Sequence, residues 1–274
     1  MAYAEYGDPE GRPILFFHAV PGSRLWLDED LTRSMKVRLI TADRPGYGRS
    51  DLNRGGSLLS WAGDVEALVA ELGLERFGVV AWSMGGPFAL ACGAHLGPRL
   101  TRLGLLSISH TPFEEEPGGL EALSEEEREQ VELAKRDPER LIASWRLDED
   151  GLQDIARDPL SVLSSLGGAD GWVMKDVALR KSLEAHIREG VRPGPLGMLW
   201  EEVMVARPWG FALADVEVQV RLWHGEHDPV PVERAEFVAE RAPLSRLTVW
   251  PGEGHCGFIR RWDEVLAAMT EDVD

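Results

Sequence analysis

The chain has 274 residues, 44% hydrophobic and 28% charged, with a net charge of −18. That charge argues against nucleic acid or an anionic membrane surface as a partner, since both want a basic face. There is no apolar run long enough for a transmembrane helix, no basic-then-apolar leader in Met1-Ala-Tyr-Ala-Glu-Tyr-Gly, and no disulfide framework in Cys92 and Cys256, so a reduced, cytoplasmic setting is expected.

Pro13-Ile-Leu-Phe-Phe-His18 and Val37-Arg-Leu-Ile-Thr-Ala42 are short apolar runs, the pattern of strands buried on both faces. Ser57 to Leu72 places Leu58, Trp61, Val65, Leu68 and Leu72 on one helical face. Arg76–Ala81 and Leu103–Ile108 read as two further strands, with a buried helix over Pro87–His95 between them. Strands alternating with helices predict a mostly parallel sheet sandwiched between helices, an α/β fold. The rhythm breaks from about Thr111 to Asp215. Ser124 and Glu127 form a capping box opening a helix to about Lys135, and further helices are expected at 138–146, 150–157, 172–189 and 196–206. The Pro- and Gly-rich Arg192–Gly197 stretch separates the last two. The acidic runs Glu114–Glu116 and Glu121–Glu129 read as a solvated helix face or as a field acting on charged substrates. The rhythm resumes with a strand at Gln219–His224, a helix from Val232, a strand at Ser245–Trp250 and a closing helix over Phe258–Met269. This divides the chain into an α/β core of residues 1–110 and 216–274 and a helical insertion of residues 111–215. An insertion at a strand end is expected to lie over the functional edge of the sheet.

Ser83 lies in Ala-Trp-Ser-Met-Gly-Gly, between the strand at Arg76–Ala81 and the following helix. Small neighbours suit a tight strand-to-helix turn that presents a hydroxyl at the sheet edge, although an ordinary helix-capping serine is the simpler alternative. A hydroxyl nucleophile needs a base, and the base needs an orienting carboxylate. His224-Gly-Glu-His-Asp228 and Gly252-Glu-Gly-His255 follow strands whose C-terminal ends share one edge with Ser83. Asp228 is the candidate acid, with Glu226 its rival and helix capping its alternative role. His255 is the candidate base. The N–H groups of Met84 and Val20 are the candidate oxyanion donors, each worth about 2.7–4 kcal/mol in serine hydrolases. A zinc site from His224, His227, Asp228 and His255 is disfavoured by their spacing at the strand end, and a Cys256 thiol nucleophile by its adjacency to His255. Trp82 and the tryptophans of the insertion (Trp145, Trp172, Trp200, Trp209) are candidates for an aromatic pocket or for ordinary packing. His18, Trp82 and Trp209 are the nominated pocket residues, His18 also as support for the loop carrying Val20. Lys175, Lys181 and His186 read as solvated.

Taken in order, His18-Ala-Val-Pro-Gly, Asp43-Arg-Pro-Gly-Tyr-Gly-Arg-Ser50, the turn at Ser83, His224-Gly-Glu-His-Asp228 and Gly254-His255 resemble the α/β-hydrolase superfamily across nearly the whole chain. The resemblance implies a helical cap after the sixth strand, Ser83 as nucleophile, His255 as base and Asp228 as orienting acid. It also implies no cofactor or metal, a small-molecule substrate, and a monomer or homodimer. Ala81 and Ala19 stand where the family usually has glycine. Tyr3–Tyr6 looks like the family's second strand, so about seven strands are expected rather than the usual eight. Serine at position 83 and the absence of tyrosine from the insertion set the chain apart from the epoxide hydrolases and haloalkane dehalogenases of this fold. The implied activity is cleavage of a small carboxylic ester, lactone or thioester. Acyl transfer, perhydrolysis, amide or carbon–carbon cleavage use the same residues, and a ligand receptor on this fold is the reading from another class.

Overall fold

A computed structural model describes residues 1–147, 161 and 167–271. Among these residues a seven-stranded sheet has the order β1-β3-β2-β4-β5-β6-β7. The strands are β1 (Tyr3–Gly7), β2 (Arg12–Phe17), β3 (Val37–Ala42), β4 (Phe77–Trp82), β5 (Leu100–Leu106), β6 (Val220–Gly225) and β7 (Ser245–Trp250). Only β1 runs antiparallel, against β3; every other pairing is parallel. The fold class and strand number agree with the sequence reading, with Tyr3–Gly7 as the first strand.

Period-two alternation divides the core. Leu15, Phe17, Val79, Ala81, Leu105 and Leu222 face one layer with the helices Leu58–Glu71 and Gly85–Leu96. Ile14, Phe16, Val80, Trp82, Leu106 and Trp223 face the other, packed on Trp262, Val265 and Leu266. Both faces are therefore covered, and all six residues of β4 are buried. A third, smaller cluster lies between β5 and β6 in sequence. Leu133, Leu141, Ile142, Leu199, Trp200 and Val203 join the helices Glu125–Arg136, Pro138–Leu147 and Leu196–Val205.

That segment is tied to the sheet by polar contacts. Arg44, after β3, pairs with Glu201 in full burial, and Tyr47 Oη donates to Glu201 Oε2 at 2.6 Å. Arg24 Nη1 bridges Asp43 Oδ2 at 2.6 Å and Glu189 Oε1 at 2.8 Å. The acidic run at 114–116 is not simply solvated. Glu114 accepts from the Trp209 N–H at 2.6 Å, Glu115 from the Leu213 N–H at 2.8 Å, and Glu116 from Thr111 Oγ1 at 2.5 Å. The first two of these carboxylates satisfy backbone donors where the chain returns towards β6.

Some elements differ from expectation. β5 ends at Leu106 because Ser107 takes φ +51°, although Ile108 beyond it stays buried. The helix expected from 172 starts at Val177, where the Asp176 carboxylate accepts from the N–H groups of Ala178 and Leu179. The closing helix is two, Gly257–Arg260 and Trp262–Thr270, broken where Arg261 adopts φ −116°. The helix expected at 150–157 lies outside the described residues. No helix among the described residues is long and apolar enough to cross a membrane.

Candidate active site

β4 ends in a turn that no ordinary residue favours. Ser83 sits at φ +55°, in the left-handed region that costs a non-glycine residue about 1–2 kcal/mol. The surrounding bonds impose it. Its N–H donates to Leu106 O at 2.8 Å, and its carbonyl accepts from the Gly86 N–H at 2.9 Å. Gly85 permits the turn to rest on the end of β2: a Cβ there would meet Phe17 O at 2.6 Å. The result is a part-exposed serine at the head of the helix Gly85–Leu96.

The loops after β6 and β7 meet at the same edge. His255 Nδ1 lies 2.9 Å from Asp228 Oδ1 and 3.1 Å from Oδ2. The Asp228 side chain is fully buried and that of His255 is 16% exposed. Burial alone would raise the Asp228 pKa. The hydrogen bond and charge of His255, the Ser107 hydroxyl and the Val230 N–H outweigh it and hold the carboxyl below its ordinary value. An ionised Asp228 keeps the proton on His255 Nδ1 and leaves Nε2 as an acceptor. Among the described residues no hydrogen bond joins that nitrogen to Ser83 Oγ, a contact that often tightens only with substrate bound. The His255 loop packs beside the serine turn all the same. Trp82 Nε1 donates to His255 O at 3.1 Å, and the two rings lie 5.5 Å apart.

The structure places the other sequence candidates as follows. Glu226 turns outward and accepts from the Gly252 N–H at 2.8 Å. Cys256 is buried, and burial first of all, then the charges of Asp170 and Asp228, push its thiol pKa up. His224 is buried with Nε2 at 2.9 Å from Val230 O, whereas His227 is exposed. Among the described residues no group of three His, Cys, Asp or Glu side chains is arranged to hold a metal. Neither the Val20 nor the Met84 N–H has a backbone acceptor among the described residues, so both donors are uncommitted. His18 is buried behind that loop. Its Nδ1 lies 2.8 Å from Ala19 O, its Nε2 accepts from the Arg44 N–H at 3.3 Å, and burial followed by the Arg44 charge keeps it neutral. Trp209 is buried in the core with Nε1 bonded to Val205 O at 3.3 Å. His186, expected to be solvated, is buried against the loop after β2, its Nδ1 2.8 Å from Leu25 O.

Sequence reasoning did not single out Ser107 or Asp170, both of which contact this cluster. The positive φ of Ser107 leaves no mark in an apolar strand pattern. Asp170 stands among glycines in Gly167-Gly-Ala-Asp-Gly171, far from His255 in sequence. A cavity of about 580 Å³ is lined by His110, Phe113, Trp145, Glu202, Arg234 and Phe237, among others, but by none of Ser83, Asp228 and His255. Burial, then Glu201, pushes Glu202 up to about 7, and burial takes His110 down to about 4.

A parallel sheet with a strained serine turn and an Asp–His pair at one edge defines a class, and comparison with known proteins agrees. Residues 14–268 match the model of the alpha/beta hydrolase family, and the chain belongs to that family. It is 31% identical over 267 residues to the pimeloyl-[acyl-carrier protein] methyl ester esterase of Aromatoleum aromaticum, covering 92% of this chain and 93% of that protein. It is 32% identical over 269 residues to the AB hydrolase superfamily protein YisY of Bacillus subtilis, covering 95% of this chain and 91% of that one. Among solved structures, a thermophilic esterase from Thermogutta terrifontis superposes with a TM-score of 0.69 at 24% identity, covering 98% of this chain and 91% of that one. The enol-lactonase of Burkholderia xenovorans gives a TM-score of 0.69 at 16% identity, covering 98% and 95%. The protein is thus a hydrolase of the α/β superfamily with esterase relatives.

Proposed function

We propose that the protein is a serine hydrolase of small carboxylic esters, lactones or thioesters. The observation that carries this reading is the buried, ionised Asp228 on His255 Nδ1, in a loop that packs on the residue before Ser83. In this mechanism His255 Nε2 takes the Ser83 proton as Oγ attacks the ester carbonyl. The Val20 and Met84 N–H groups receive the developing oxyanion. The protonated His255, stabilised by Asp228, hands its proton to the leaving alcohol. Water activated by the same histidine then releases the acid and frees Ser83. The methyl ester esterase among the similar proteins supports an ester-type bond with a small leaving alcohol.

A fluorophosphonate probe is expected to label the wild-type protein and not Ser83→Ala. Turnover of short p-nitrophenyl esters is expected to fall by about 10⁴–10⁶ in kcat in the same variant. Equal turnover by the two proteins would remove Ser83 from the mechanism and favour a ligand receptor on this fold.

A further inference from the structure

We propose that Asp170, contributed by the segment between β5 and β6, is a positioning residue for His255 and a second source of negative charge for its imidazolium, an inference that rests on the mechanism above. Asp170 is 4% exposed. Oδ2 accepts from the His255 N–H at 2.8 Å and Oδ1 from the Cys256 N–H at 3.0 Å. Two consecutive backbone donors thus converge on one buried anion, a small nest that fixes the main chain at the base. Gly254 makes the approach possible, since a Cβ there would lie 2.4 Å from Asp170 Oδ2. The β6 side closes on the same loop: the His227 N–H donates to Glu253 O at 2.8 Å. The His255 loop is therefore gripped from both sides.

A neutral acceptor would suffice if anchoring were all that was required. Among the described residues no arginine or lysine pairs with Asp170; the nearby Arg260 and Arg261 lie 3.7 and 3.4 Å from Glu253 instead. Among the described residues the Asp170 carboxylate thus has no ion-pair partner beside the base. One residue on, burial first of all, and then the charges of Asp170 and Asp228, push the Cys256 thiol up. When His255 takes the serine proton, positive charge develops on its ring, and a fixed anion at its backbone lowers the energy of that state. Asp228 holds the ring, and Asp170 holds the loop from which the ring projects. The neighbourhood does not hang on this carboxylate alone. Val173 is buried in the cluster that contains Trp82 and Phe258, and the Arg260 guanidinium stacks 4.0 Å from the centre of the Trp172 ring. Asp170→Asn, which keeps the size and one acceptor oxygen, is therefore expected to fold.

Two measurements on the full chain test the assignment. Nuclear magnetic resonance follows the titration of the His255 imidazole without any substrate. Fluorophosphonate labelling as a function of pH follows the attack that His255 promotes. In Asp170→Asn the midpoint of His255 is expected to fall, because a nearby negative charge is lost. Labelling at neutral pH should slow by about 10-fold, and ester turnover should lose kcat with little change in KM. Gly254→Ala, which displaces the carboxylate by steric contact, should move the midpoint the same way. An Asp170→Asn protein with an unchanged or raised midpoint and wild-type labelling, differing only in thermal stability, overturns the proposal. Labelling of Ser83→Ala would instead overturn the mechanism on which it rests, while leaving the titration to be read alone.

Discussion

Arg44 is fully buried, and only its partners make that tolerable. Burial alone would depress its pKa; Glu201 and Tyr47 more than reverse this and hold the guanidinium charged. Removing one member of such a pair strands the other. Glu201→Ala is expected to cost about 3–5 kcal/mol in urea unfolding, whereas replacing both charges with apolar residues of similar volume should recover most of that loss. A Glu201→Ala protein as stable as wild type would mean that water reaches Arg44. At this scale the sequence was legible unevenly. Asp228 and Glu226 could be ranked from their distance to the strand end, and the structure puts Asp228 on His255 and Glu226 at the Gly252 amide. The partnership of Arg44 with Glu201 had no sequence signal, because it joins residues 157 positions apart. His186 looked solvated for the same reason: nothing in its own helix reveals the loop that buries it.

The strands were the most legible elements, because burial on both faces writes itself as an unbroken apolar run. β3 and β7 have the expected limits, and β4 and β6 lie one residue further on. Errors arose where a side chain or a φ angle, not hydrophobic periodicity, ended the element. The helix Val177–Gly190 is the clearest case. Periodicity extends upstream of it, but the Asp176 Oδ1 atom takes the Ala178 and Leu179 N–H groups at 3.0 Å each and starts the helix there. Asp176→Ala is expected to lose about 1 kcal/mol of stability, measured by urea denaturation, and Asp176→Ser considerably less. The capping box of Ser124 and Glu127 was read directly, because both of its members lie within one turn.

Across the whole molecule, partly and fully buried titratable groups make stability depend on pH from two directions. Glu202 titrates at about 7 in the fold against an ordinary 4.5, so the folded state favours its neutral form. Its contribution is fully present below about pH 4.5 and is lost as pH rises through about 7. His186 and His110 behave oppositely. Each is lowered from 6.5 to about 4, so their contribution is present above 6.5 and is lost as pH falls through about 4. Glu202→Gln should therefore match wild type in urea midpoint at pH 4 and exceed it increasingly up to pH 8. A difference between the two that stays constant with pH would show that Glu202 keeps an ordinary pKa. The sheet topology has a consequence of another kind, for the chain as it is made. β5 pairs with β6 in parallel, Leu103 beside Val220 and Leu106 beside Trp223, yet residues 107–219 must be synthesised between them. At about 5–20 residues per second that stretch occupies the ribosome for on the order of ten seconds. Throughout that interval Leu-Thr-Arg-Leu-Gly-Leu-Leu, residues 100–106, is an open sheet edge with its neighbour not yet in existence. The segment between β5 and β6 thus also acts as a clock, setting how long that edge of the nascent protein stays open.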